Sequence, residues 1–161
     1  MIRLKTGVLL ACALKIGAIM ADAPHSDISL LYEFGLNMGI AFQLQDDYLD
    51  VYGDPVVLGK NTGNDIIENK KTFMLISALR LAEGDDKTSL LQWVSSTSFD
   101  KQEKIDAITN LYGKLGIDRM TKALIDNYYK LAVETLGTVN VSEERKQPLY
   151  DYVARIMKRN R

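Results

Sequence analysis

The chain has 161 residues, 47% of them hydrophobic and 25% charged, with a net charge of −1. This is enough chain for one buried core, and the near-neutral balance, with no basic stripe, excludes a nucleic-acid surface. The single cysteine, Cys12, excludes an intrachain disulfide and reads as a small residue in an apolar helix.

Only helices are predicted along the chain. Ile2 to Ala21 reads as a buried helix whose small residues Gly7, Ala11, Ala13, Gly17 and Ala18 suit close packing. The opening MIRLK, the apolar GVLLACALKIGAIM and Ala21-Asp22-Ala23 imitate a secretory signal, but Lys15 interrupts the run. The uncharged stretch also falls short of the about 20 residues of a membrane span, so a cytoplasmic protein is expected. Asp22 to Asp27 is a turn holding Pro24, with Ser26 or Asp27 as the cap of the next helix, which runs to about Tyr52. A polar loop follows. Lys71 to Ala82 is helical with Phe73, Leu75, Ile76 and Leu79 as its apolar face, and Lys87 to Ser95 is a short helix holding Trp93. Asp85-Asp86, after Gly84, reads as a loop or a cap. Asp100 caps a helix to about Leu115, Asp118 to Leu136 is the next, and Ser142 opens the last, in which Pro148 marks the first turn or a bend. His25 reads as a surface turn residue, and Tyr128 and Tyr129 as packing residues.

Chemistry concentrates between Gln43 and Lys71. At about 100° per residue, Gln43, Asp46, Asp47 and Asp50 share one face of an otherwise apolar helix. Like charges so placed repel, and a helix that keeps them has a cation to bind. Oxygen-only donors select Mg2+ or Mn2+ rather than zinc. Magnesium keeps one or two carboxylates, waters and a substrate phosphate, so the pattern points to a diphosphate held through metal. The bland alternative is a solvated acidic face. Gly53, Gly59, Lys60, Gly63, Lys70 and Lys71 in the following loop weigh against it, since they are phosphate-binding residue types.

The stretch FQLQDDYLDVYGDPVVLGKNTGNDIIENKKT closely resembles the second aspartate-rich region of the trans-isoprenyl diphosphate synthases. Phe42-Gln43 resembles the family's FQ pair, Asp46, Asp47 and Asp50 its DDxxD, Gly59-Lys60 its GK, and Asp65-Ile66 with Asn69-Lys70 its D-I-x-x-N-K. Lys5-Thr6 resembles the Lys-Thr of the preceding active-site helix. The resemblance implies an all-α isoprenoid synthase bundle of about seven helices, with residues 1–161 as the C-terminal part of one domain. The first aspartate-rich motif lies upstream in such enzymes and is not encoded here.

The resemblance also implies the reaction. An allylic diphosphate loses pyrophosphate in a closed apolar site, isopentenyl diphosphate attacks the allylic cation, and a proton leaves to pyrophosphate. Asp46, Asp47 and Asp50 are the implied ligands of Mg2+ or Mn2+. Lys5, Gln43, Lys60 and Lys70 are the implied diphosphate contacts, and Lys5, Thr6, Gln43 and Lys60 the implied catalytic residues. A homodimer is expected, and the 161 residues alone are expected to be inactive. The alternative is a non-catalytic half-length helical subunit that binds a partner chain. The basic tail Lys158, Arg159 and Arg161 reads as charge at a helix C-terminus; the resemblance suggests instead a tail that closes over a diphosphate.

Overall fold

Capping side chains and left-handed glycines mark out the helices of the computed structural model, which describes residues 2–59 and 61–158. A π-helical turn, Arg3–Gly7, leads into α1 (Val8–Met20). Then come α2 (His25–Tyr52), α3 (Pro55–Leu58), α4 (Asn64–Ile67), α5 (Phe73–Leu81), α6 (Gly84–Ser95), α7 (Lys101–Lys114), α8 (Ile117–Gly137) and α9 (Glu143–Lys158). No strand occurs among the described residues. The Asp100 Oδ1 accepts from the N–H groups of Gln102 and Glu103 at 2.9 and 3.0 Å, so the expected cap of α7 is present. Thr72 caps α5 in the same way, its Oγ1 accepting from Leu75 N–H. Gly116, at φ +68°, separates α7 from α8 by a turn into the left-handed region.

The helices form two compact units, residues 1–44 with 124–161, and residues 45–123. In the first, α1 and α2 meet backbone to backbone. A Cβ on Gly39 would stand 2.5 Å from the Gly7 Cα, and one on Gly35 would stand 2.8 Å from the Ala11 Cα. The small residues expected to pack closely therefore do so at Gly7, Ala11 and Ala18, whereas Ala13 and Gly17 are exposed. Phe34, Met38, Ala41, Tyr129, Ala132, Leu136 and Val153 are also buried in this unit.

In the second unit, Ile66, Met74, Leu75, Ala78, Leu90, Ile108, Tyr112 and Ile117 form one core, with Tyr48, Val51, Tyr52 and Trp93 packed against it. This core sits beside the aspartate-rich end of α2 and fixes the short elements that follow it.

Several expectations need correction. Neither Ser26 nor Asp27 caps α2: the Pro24 carbonyl accepts from Ile28 N–H at 3.0 Å. The buried Asp27 carboxylate instead accepts from the N–H of Asn140, 113 residues away. Gly84 already opens α6, which places Asp85 and Asp86 in its first turn, where acid favours the helix. The loop after α2 contains two short helices, because Asp54 caps α3 with Pro55 as its first residue and Gly63 precedes α4. Nor is the first helix buried all round, since Leu9, Ile16, Ile19 and Met20 are exposed. His25 is exposed, as read from the sequence, but it opens α2 rather than lying in a turn, and Pro148 lies inside α9. Among the described residues no helix is long and apolar enough to cross a membrane.

Candidate active site

The π-helical turn carries Lys5 and Thr6. Such a turn inserts a residue into a helix and redirects its side chains. Thr6 points to α2, where its Oγ1 donates to the Gln43 Oε1 at 2.7 Å. Lys5 is exposed. Thr6 and Gln43, two of the implied catalytic residues, thus form a pair within the first unit.

The acidic face lies in the second unit. Asp46 is half-buried, while Asp47 and Asp50 are buried at 3% and 7% exposure. Burying carboxylates is unfavourable without charge or hydrogen-bond partners, and α4 and the turn after it supply them. The Lys70 ammonium donates to the Asp47 Oδ1 at 3.0 Å and to both carboxylate oxygens of Asp65, at 2.9 and 2.8 Å. The main-chain N–H of Asp65 donates to the Asp50 Oδ2 at 2.8 Å. Burial lowers the Lys70 pKa, but the hydrogen bonds and charges of Asp65 and Asp47 raise it more, so it ends above the ordinary lysine value.

One residue, Asp65, therefore holds two of the three aspartates of the motif, Asp50 through its backbone and Asp47 through Lys70. The sequence offers a signal for this: the D-I-x-x-N-K spacing returns the lysine to the aspartate after one short helix. Lys60 lies outside the described residues, as do Arg159 and Arg161 of the basic tail.

Asp46, Asp47 and Asp50 present hard oxygen donors, the chemistry that suits magnesium. Among the described residues no three His, Cys, Asp or Glu side chains gather closely enough to form a cage by themselves. Magnesium needs only one or two carboxylates when waters and a phosphate complete its shell, so the donor set fits that ion.

The chain is similar to known proteins in sequence and in fold. Residues 1–112 match the family model of polyprenyl synthetases. The chain is 34% identical to the geranylgeranyl diphosphate synthase of Sulfolobus acidocaldarius, over 100% of this chain and 48% of that protein. A crystal structure of a geranylgeranyl pyrophosphate synthase superposes with a TM-score of 0.88 at 35% identity, over 99% of this chain and 50% of that one. A geranylgeranyl pyrophosphate synthase from Corynebacterium glutamicum, complexed with isoprenyl diphosphate and magnesium, superposes with a TM-score of 0.81 at 30% identity, over 94% of this chain and 43% of that one. The chain spans about half the length of these relatives, and its helices match half of the isoprenoid synthase fold. The chain belongs to the polyprenyl synthetase family.

Proposed function

We propose that the chain supplies the second aspartate-rich half of a prenyltransferase that condenses an allylic diphosphate with isopentenyl diphosphate into a longer linear diphosphate. The observation that carries this reading is the anchoring of Asp47 and Asp50 by Lys70 and Asp65 in a chain of this family. A solvated acidic face would have no use for two buried, oriented carboxylates.

Asp46, Asp47 and Asp50 are the residues that would hold magnesium, which when bound neutralises charge on the departing diphosphate. Lys70 offsets part of the negative charge of Asp47 and Asp65 and fixes the Asp47 rotamer. Thr6 orients the amide of Gln43, which places a polar group for the allylic substrate. Lys5 and Lys60 are assigned to diphosphate oxygens, together with Gln43; Lys70, expected there too, is instead engaged by Asp47 and Asp65. The reading carries with it a cytoplasmic homodimer as the working enzyme and no activity for the 161 residues alone, because they hold one aspartate-rich helix.

The test is a chimera in which this chain replaces the matching stretch of the Sulfolobus acidocaldarius enzyme. It should elongate an allylic diphosphate in the presence of isopentenyl diphosphate and magnesium, and Asp46→Ala should lower its turnover by about 100-fold or more. A folded chimera without turnover, or one indifferent to Asp46→Ala, contradicts the assignment. Steady turnover by the 161 residues alone contradicts the half-site.

A further inference from the structure

Lys104 lies in the first turn of α7 and is fully buried, at 0% exposure. A lysine in that position is uncommon, because desolvating an ammonium is unfavourable unless its environment compensates. Here the compensation is neutral. The Nζ donates to the Asn69 Oδ1 at 2.8 Å and to the Ile67 carbonyl at 3.3 Å, and it stands 4.2 Å from the centroid of the Phe99 ring. Burial pulls the ammonium below its ordinary pKa. A methionine or leucine would fill such a core without that penalty, so the charge calls for an explanation beyond packing.

Asn69 provides it. Its backbone is in the left-handed region, at φ +51°, where side-chain tethers hold a residue that would otherwise relax. Its Nδ2 donates to the Val94 carbonyl near the end of α6 at 3.0 Å. Lys104 therefore grips both the last carbonyl of α4 and the side chain of the turn that follows it. The next residue is Lys70, whose N–H donates to the Asp65 carbonyl at 2.9 Å and whose ammonium bridges Asp65 and Asp47. All of these residues belong to the second unit.

We propose that Lys104 is a positioning residue for the aspartate-rich helix, aiming Lys70 at Asp47 and Asp65 through the Asn69 turn. In its link to catalysis the proposal rests on the prenyltransferase reading, and its test separates the two. The chain is labelled with 15N-lysine, and the Lys70 ammonium signal, held by its two carboxylates and told apart from those of buried Lys104 and Lys146 by its loss in Lys70→Arg, is followed. Lys104→Met removes the donor. Asn69→Gly removes the acceptor while keeping the left-handed backbone accessible, and it reads the same link if Lys104→Met fails to fold. Ile108→Val, a buried change on the same helix, controls for lost stability.

The protected Lys70 signal should vanish in Lys104→Met and in Asn69→Gly but persist in Ile108→Val, even though the latter lowers the melting temperature. Binding of magnesium pyrophosphate, by calorimetry, should weaken about tenfold in the first two only, the usual effect of removing a group that orients a metal ligand. An unchanged Lys70 signal in either folded variant overturns the proposal. If the unaltered chain binds no magnesium pyrophosphate, the prenyltransferase reading falls, and the Lys70 signal still decides the role of Lys104.

Discussion

The main-chain N–H of Asp65 donates to the Asp50 Oδ2 at 2.8 Å, while the Asp65 carboxylate takes two hydrogen bonds from Lys70. Backbone and side chain of one residue thus hold two parts of the acidic motif. Asp65→Asn keeps the backbone contact and removes the charge. Lys70 is 28% exposed and Asp65 14%, so the charge-assisted bonds are only partly screened. The substitution should lower stability by about 1–2 kcal/mol in urea unfolding. A variant within a few tenths of the parent would show that Asp47 alone holds Lys70.

Close approach of α1 and α2 depends on Gly39, where an added methyl would meet backbone rather than a movable side chain. Gly39→Ala should cost about 2–3 kcal/mol. Gly113, in the last turn of α7, has nothing within 4 Å of an added Cβ. Gly113→Ala should therefore raise stability by about 0.5 kcal/mol through helix propensity. Thermal melts of the two variants should move in opposite directions; equal losses would contradict the described contact between Gly39 and Gly7.

Tyr52 gives a pH test. Burial, then the charges of Asp118 and Tyr48, push its phenol up to about 12, from an unfolded value of about 10. Between these values the unfolded chain has lost the proton and the folded chain keeps it. The unfolded state then binds fewer protons, so stability falls as pH rises through this window. Lys104, with its pKa lowered, acts in the opposite direction. Comparing Tyr52→Phe with the parent isolates the tyrosine. The hydroxyl is buried with no hydrogen-bond partner among the described residues, so the variant should be no less stable at pH 7 and should lose less stability between pH 10 and 12. A parallel loss in both proteins would contradict the shift.

Leu9, Ile16, Ile19 and Met20 are exposed on α1 at spacings that form one stripe. At micromolar concentration the 161 residues should self-associate, and light scattering should show it. Leu9→Lys with Ile16→Lys should restore a monomer. A monomeric parent that binds no hydrophobic dye would show that the stripe is covered in solution. Leu36 and Ile40 on α2 stay outside this stripe and border Gly7.

Features written in short-range spacing were legible in the sequence. Asp100 announces its helix because a cap and its helix are adjacent, and the DDxxD face follows from helical period alone. The Thr6–Gln43 pair was within reach only through family resemblance, since 37 residues separate its members. Features that depend on tertiary partners were not legible. Asp27 reads as a helix cap until Asn140 is folded against it. Lys104 sits in Lys101-Gln102-Glu103-Lys104, where it resembles any solvated helix charge, and only the fold turns it inward. Short α3 and α4 escaped because four residues carry too little periodicity.

The central claim is that the anchored aspartates serve a metal-bound diphosphate. Calorimetry of the 161-residue chain with pyrophosphate, in the presence and absence of magnesium, tests it most directly. Magnesium alone should bind weakly, because one helix offers few of the six oxygens it takes. Pyrophosphate should bind only when magnesium is present, and Asp46→Ala should abolish that binding while leaving the melting temperature within about 2 °C of the parent. Pyrophosphate binding that needs no magnesium, or that survives Asp46→Ala unchanged, would contradict the account.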